Sequence, residues 1–151
     1  MTNGLALEAD RVRANTSPAV NREIDAKTLS NIRRYASQPR AAVERRISEL
    51  NREWDIERVL EANAGVLAAV GAVLGASVSR KWLVLTGTVL AFLLLHATEG
   101  WCPPVPLLRR MGIRTRSEID REKRALKYMR GDFGNHSDPP REVRRLGALV
   151  G

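Results

Sequence analysis

Three side chains that could bind a metal ion lie close together near residue 100. His96, Glu99 and Cys102 are spaced three residues apart, and imidazole, carboxylate and thiolate are all groups that Zn²⁺ binds. Pro103 follows directly and would interrupt this geometry, and no fourth ligand is obvious in the sequence. We therefore predict no metal site and no cofactor, and we keep these three residues as candidate ligands for the structure to test.

Cys102 is the only cysteine of the chain, so an internal disulfide and a CxxC pair are excluded. A reactive thiol needs an electropositive, partly exposed setting, and Arg109 and Arg110 could supply one. Cys102 is accordingly the one candidate catalytic residue. No phosphate-binding glycine loop and no Ser/His/Asp arrangement can be assembled from the remaining residues, so the sequence predicts no further enzyme site.

The middle of the chain is apolar and nearly free of charge. Residues 62–79 and 82–98 carry no charged side chain, and only Arg80 and Lys81 separate them. Each segment would span roughly 26 Å as a helix, close to the thickness of a bilayer core. Neither has the polar face of a soluble helix. Since a turn at 79–81 keeps both charges in water, the pattern predicts an antiparallel transmembrane hairpin over residues 54–104.

The flanks of these segments indicate where the membrane surfaces lie. Trp54, Trp82 and Trp101 each fall near a predicted boundary, where indole rings prefer to sit, and His96 would reach the interface from the last turn. Arginines are more numerous on the two outer flanks than at the Arg80–Lys81 turn. The positive-inside rule therefore predicts that both termini lie in the cytoplasm and the turn lies outside.

Small residues recur along the first apolar segment. They are spaced so that two helix backbones could approach closely, either within the hairpin or between two copies in a homodimer. The ladder consists of Ala64, Ala68, Gly71, Gly75 and Ser79.

The polar flanks predict further helices. Residues 1–20 are expected to be disordered and 21–53 to form an amphipathic helical segment, whose stretch 40–53 either lies on the membrane or packs on protein. Residues 105–133 predict a basic juxtamembrane helix over 116–130, which either binds anionic lipid headgroups or docks on the N-terminal segment. Residues 134–151 read as a mobile tail. The chain lacks the basic and aromatic stripe of a nucleic-acid binder.

The stretch from about Trp54 to Phe133 resembles the YgaP-like transmembrane-domain family of bacterial inner-membrane proteins. The resemblance is carried by Asp55-Ile-Glu-Arg58, by the two-helix unit, and above all by the string Gly100-Trp-Cys-Pro103. It implies a homodimeric hairpin with cytoplasmic ends. The namesake has an amino-terminal rhodanese domain, whereas the 60-odd residues before this hairpin are too few for one and contain no cysteine, so sulfur transfer is not implied.

Together these observations predict an all-α protein, a two-helix transmembrane hairpin flanked by amphipathic cytoplasmic helices. The expected function is a non-enzymatic anchor or oligomerising module whose partners are the lipid bilayer and a second copy. Two alternatives stay open: a thiol-based sulfur or redox accessory acting through Cys102, and a soluble helical interaction protein.

Overall fold

The structure, a computed structural model, describes residues 10–134, 139–141 and 143–144. Every regular element in this part of the chain is helical, which confirms the all-α prediction. The chain divides into two compact units, Met1–Ser17 with Trp54–Thr115 (unit 1) and Pro18–Glu53 with Arg116–Gly151 (unit 2). The helices are α1 (Arg11–Ala14), α2 (Pro18–Ala36), α3 (Arg40–Arg52), α4 (Ile56–Ser77), α5 (Leu83–Glu99), α6 (Val105–Arg110) and α7 (Arg116–Arg130).

Helices α4 and α5 of unit 1 pack side by side. The Asp55 carboxylate caps α4 by accepting a hydrogen bond from the Arg58 amide at 2.8 Å, as an N-cap side chain does. A 3-10 turn at Arg80–Trp82 then reverses the chain. The Thr86 hydroxyl, one turn into α5, donates to the carbonyl of Ala68 at 3.1 Å. The two helices are therefore antiparallel, with the start of α4 beside the end of α5.

A small core closes unit 1 at this end of the pair. Val12 of α1, Ile56 and Leu60 of α4, Cys102 and Val105 form one buried apolar cluster. The Ile56 amide also donates to the carbonyl of Arg114 at 2.9 Å. We call the segments that meet here, residues 10–17, 54–60 and 100–115, the collar.

Unit 2 is built from α2, α3 and α7. Val43, Ile47 and Leu50 of α3 are buried against Ile119 and Leu126 of α7. The spacing of the α3 residues puts them on one helical face, and that face is buried in this core. Of the two readings left open for residues 40–53, the structure favours packing on protein, and α7 likewise docks on the N-terminal helices.

A buried ion pair lies beside this core. Glu122 of α7 is fully buried, and its Oε1 accepts a hydrogen bond from Arg46 Nε at 2.9 Å. Arg46 Nη2 lies 2.8 Å from the same oxygen in an ion pair. The Arg46 guanidinium also lies 6.0 Å from the centre of the Tyr35 ring. Breaking a buried pair from one side costs about 3–5 kcal/mol, so these two residues hold α3 and α7 in register.

The structure departs from the sequence prediction at the N-terminus. Residues 11–14 and 18–20 are helical, whereas the sequence predicted disorder over 1–20. The physical reason is tertiary: Val12 enters the collar core, and Asp10 caps α1 through the Arg13 amide. Residues 1–9 and most of the tail predicted over 134–151 lie outside the described residues. Phe133, at the end of the segment predicted over 105–133, is exposed.

A candidate membrane-spanning helix pair and its collar

The outer surface of the α4–α5 pair is apolar. None of the 17 residues of α5, all of them described, is buried, and bulky aliphatic side chains face outward from both helices. By length and composition, α4 and α5 each belong to a helical stretch that could cross a membrane. The most exposed aliphatic side chains of the two helices are Val66, Val73, Val84 and Leu94.

The small-residue ladder lies on the face of α4 that contacts α5. A methyl group at Gly71 would come within 2.6 Å of Thr86 Oγ1, and one at Gly75 within 2.5 Å of Leu83 Cδ2. Ala64 and Ala68 are half-buried on the same face, and the Ser79 hydroxyl accepts from the Lys81 amide in the turn. The sequence left two uses open for the ladder, packing within the hairpin and contact between two copies. In the structure the ladder packs within the α4–α5 pair.

The three tryptophans lie at the two ends of the pair. Trp54 and Trp101 belong to the collar end and Trp82 to the turn, and they are 51%, 40% and 43% exposed, respectively. The Arg58 guanidinium stacks over the Trp54 ring at 4.7 Å, a cation–π contact. Half-exposed indole rings at both ends of an apolar helix pair are typical of membrane boundaries. Arg80 and Lys81 lie in the turn that precedes α5.

Helix α1 caps the C-terminal end of α5. One nitrogen of Arg11, Nη1, donates to the carbonyls of Ala97 and Thr98, each at 2.9 Å. Asn15 Nδ2 donates to the Glu99 carbonyl at 2.8 Å, and the Gly100 amide donates to His96. The last four carbonyls of a helix have no partner within it, so all four are satisfied here, and the guanidinium also suits the negative end of the helix dipole.

Gly100 is required at this junction for two reasons. Its φ of +71° is left-handed, and a methyl group there would lie 2.3 Å from Arg11 Cβ and 2.7 Å from the Arg11 carbonyl carbon. Only glycine combines this backbone conformation with such close contact. The first residue of the Gly100-Trp-Cys-Pro103 string thus has a structural role.

Cys102 is a core residue of the collar. It is only 7% exposed and packs among Val12, Ile56 and Val105. Burial raises the pKa of its thiol, because an apolar environment disfavours the thiolate.

The arginine expected to activate this thiol is engaged elsewhere. Arg109 is itself buried and donates to the Thr16 hydroxyl at 3.2 Å and to the Ile113 carbonyl at 3.1 Å, while Arg110 is exposed. These contacts argue against a reactive cysteine.

The candidate metal ligands are not brought together. Cys102 is buried in the collar, Glu99 is exposed, and His96 is half-buried on α5. Among the described residues, no group of three or more His, Cys, Asp or Glu side chains is arranged to hold a metal ion. The i, i+3 spacing that suggested a site is broken after Glu99, where the helix ends at the left-handed Gly100.

Sequence reasoning missed Arg11 and Asn15, which complete the end of α5. Both lie in a segment expected to be disordered, and a four-residue helix is too short to show periodicity.

Comparisons of the chain with protein-family models, curated proteins and solved structures gave no match.

Proposed function

We propose that this chain is an integral membrane protein that crosses the bilayer twice as the α4–α5 hairpin, flanked by amphipathic helices, and acts as a non-enzymatic anchor or oligomerising module. One observation carries the proposal: apart from Ile56 and Leu60 in the collar, the two apolar helices α4 and α5 bury only the seam between them. In water each outward Val or Leu would forgo roughly 1.5–3 kcal/mol of burial. A bilayer supplies the apolar surroundings that the chain itself does not.

The charge distribution supports an orientation. The opposite end of the pair carries only Arg80 and Lys81, whereas the collar carries six arginines: Arg11, Arg13, Arg58, Arg109, Arg110 and Arg114. Under the positive-inside rule the collar and both termini belong in the cytoplasm. Membership of the YgaP-like transmembrane-domain family and a bacterial inner-membrane location remain parts of the proposal, which the Gly100-Trp-Cys-Pro103 string supports.

Self-association is part of the same proposal, but the surface that would mediate it is not the small-residue ladder. Because Gly71 and Gly75 already contact α5, a second copy would have to contact the outward faces of the pair. Gly65 lies on such a face, with no atom within 4 Å of a methyl group built there. We expect Gly65→Ile to weaken crosslinking between copies without disturbing the hairpin.

Alkaline extraction tests the membrane assignment. After cell lysis, the full chain should sediment with membranes and stay there in sodium carbonate, because two embedded helices resist treatment that strips peripheral proteins. Release into the carbonate supernatant, with a known integral protein retained in the same sample, would refute the hairpin and favour the soluble alternative.

A further inference from the structure

The short helix α6 has two faces of different character. Val105 and Arg109 are buried in the collar, whereas the opposite side is open to the surroundings. On that side Leu107 is 62% exposed and Met111, one turn further, is 68% exposed. We call this surface, made of Pro103, Pro104, Leu107, Arg110 and Met111, the outer face of α6.

This composition is unusual for a helix that faces water. Isolated exposed apolar residues are common on soluble proteins and need no explanation. Here two large apolar side chains are neighbours at positions i and i+4, two prolines adjoin them, and the only charged member is Arg110. The face therefore needs an apolar covering beside an anionic one.

The position of α6 identifies that covering. Gly100 turns the chain sharply at the end of α5, and the Val105 amide then donates to the Cys102 carbonyl at 2.9 Å. Cys102 and Val105 pack in the same core as Ile56 and Leu60, the first turns of α4. Helix α6 is thus held at the level where the hairpin enters the bilayer, the same end that carries Trp54 and Trp101.

The charges near α6 match a phospholipid surface. Residues 100–115 contain three arginines and no acidic residue. Two of them, Arg109 and Arg114, are buried in the collar, which leaves Arg110 exposed on the outer face of α6. A basic side chain beside the membrane is attracted to anionic headgroups.

We propose that the outer face of α6 is a lipid-binding surface, with Leu107 and Met111 inserted at the acyl boundary of the cytoplasmic leaflet and Arg110 bound to the phosphate of an anionic phospholipid. This inference rests on the proposed membrane function. It assigns the lipid contact of the cytoplasmic side to α6 and not to α3 or α7, whose apolar faces are buried in unit 2.

Depth-dependent fluorescence quenching tests the proposal on the full chain. In a Cys102→Ala background, single cysteines are introduced by Leu107→Cys or Met111→Cys, labelled with an environment-sensitive fluorophore and reconstituted in vesicles containing phosphatidylglycerol. Both labels should be quenched by lipid spin-labelled near the headgroup and protected from aqueous iodide. Strong iodide quenching, or protection from both quenchers as expected for a protein contact, would overturn the proposal.

A label at Val66→Cys separates this inference from the function on which it rests. Val66 is exposed near the middle of α4, so it should be quenched by lipid spin-labelled deep in the acyl chain. Deep quenching at 66 with iodide quenching at 107 would refute the α6 surface alone. Absence of lipid quenching at 66 would refute the membrane hairpin itself.

The role of Arg110 has its own readout. Quenching at position 107 should be stronger with spin-labelled phosphatidylglycerol than with spin-labelled phosphatidylcholine. Arg110→Gln should bring that ratio towards one. An unchanged ratio would contradict a phosphate contact by Arg110.

Discussion

Gly100 illustrates how a single residue determines the end of an apolar helix. Its left-handed backbone stops α5 and lets the backbone of α1 approach, so that Arg11 and Asn15 reach the carbonyls that the helix leaves unpaired. The Gly100-Trp-Cys-Pro103 string, which carries the family resemblance and contains the candidate thiol, has a packing and capping role in the structure.

Replacing Gly100 by alanine should destabilise the protein more than the same change at Gly112. Both glycines have positive φ, +71° and +82°, but only Gly100 has atoms within 4 Å of the added methyl group. The left-handed conformation costs about 1–2 kcal/mol at either site, and overpacking adds typically 1–3 kcal/mol at Gly100 alone. Thermal unfolding of both variants in detergent measures the difference. Equal destabilisation would show that the contact with α1 is absent.

The Cys102 thiol should alkylate slowly. Because burial raises its pKa, the thiolate fraction at neutral pH is below that of an ordinary cysteine, and the rate should climb with pH through a midpoint above about 8.5. The matched control is Gln38→Cys in a Cys102→Ala background, an exposed position between α2 and α3. A Cys102 midpoint at or below that of the control would revive the sulfur or redox alternative.

At the scale of helices, the sequence was informative where periodicity is strong. Helix α7 spans Arg116–Arg130, the range predicted from the sequence. The α3 stripe of Val43, Ile47 and Leu50 is buried, as its helical spacing indicates. What the stripe packs against could not be read from spacing, because its partner α7 lies some 70 residues away in the chain. The same long-range pairing explains why the burial of Glu122, a charged residue on a basic helix, was not predicted.

The seam between α4 and α5 can be tested with two glycines of one helix. Gly71→Ile should force the helices apart, because the added carbons meet Thr86, and should cost on the order of 1 kcal/mol or more. Gly65→Ile introduces the same side chain where no atom lies within 4 Å and should leave the pair intact. The readout is the distance between labels on α4 and α5 in detergent. Similar behaviour of the two variants would remove the ladder from the seam.

At the scale of the whole molecule, the chain combines two kinds of core. In unit 2 the apolar faces of α3 and α7 are buried against each other. In unit 1 the collar core is buried, whereas the outer surface of the α4–α5 pair consists of exposed aliphatic side chains. Charge depletion over residues 62–98 made the apolar pair predictable. The collar was not predictable, because it joins three separate segments through contacts that leave no periodic trace in the sequence.

Determining the number and direction of the membrane crossings tests the proposed hairpin most directly. In intact bacterial cells, Lys81→Cys in a Cys102→Ala background should react with a membrane-impermeant maleimide added outside. Reporters that are active only in the cytoplasm should work when fused to either terminus. This combination requires two crossings with the turn outside. A cysteine at position 81 that is labelled only after the cells are permeabilised, or a terminus reported outside, would contradict the hairpin or its orientation.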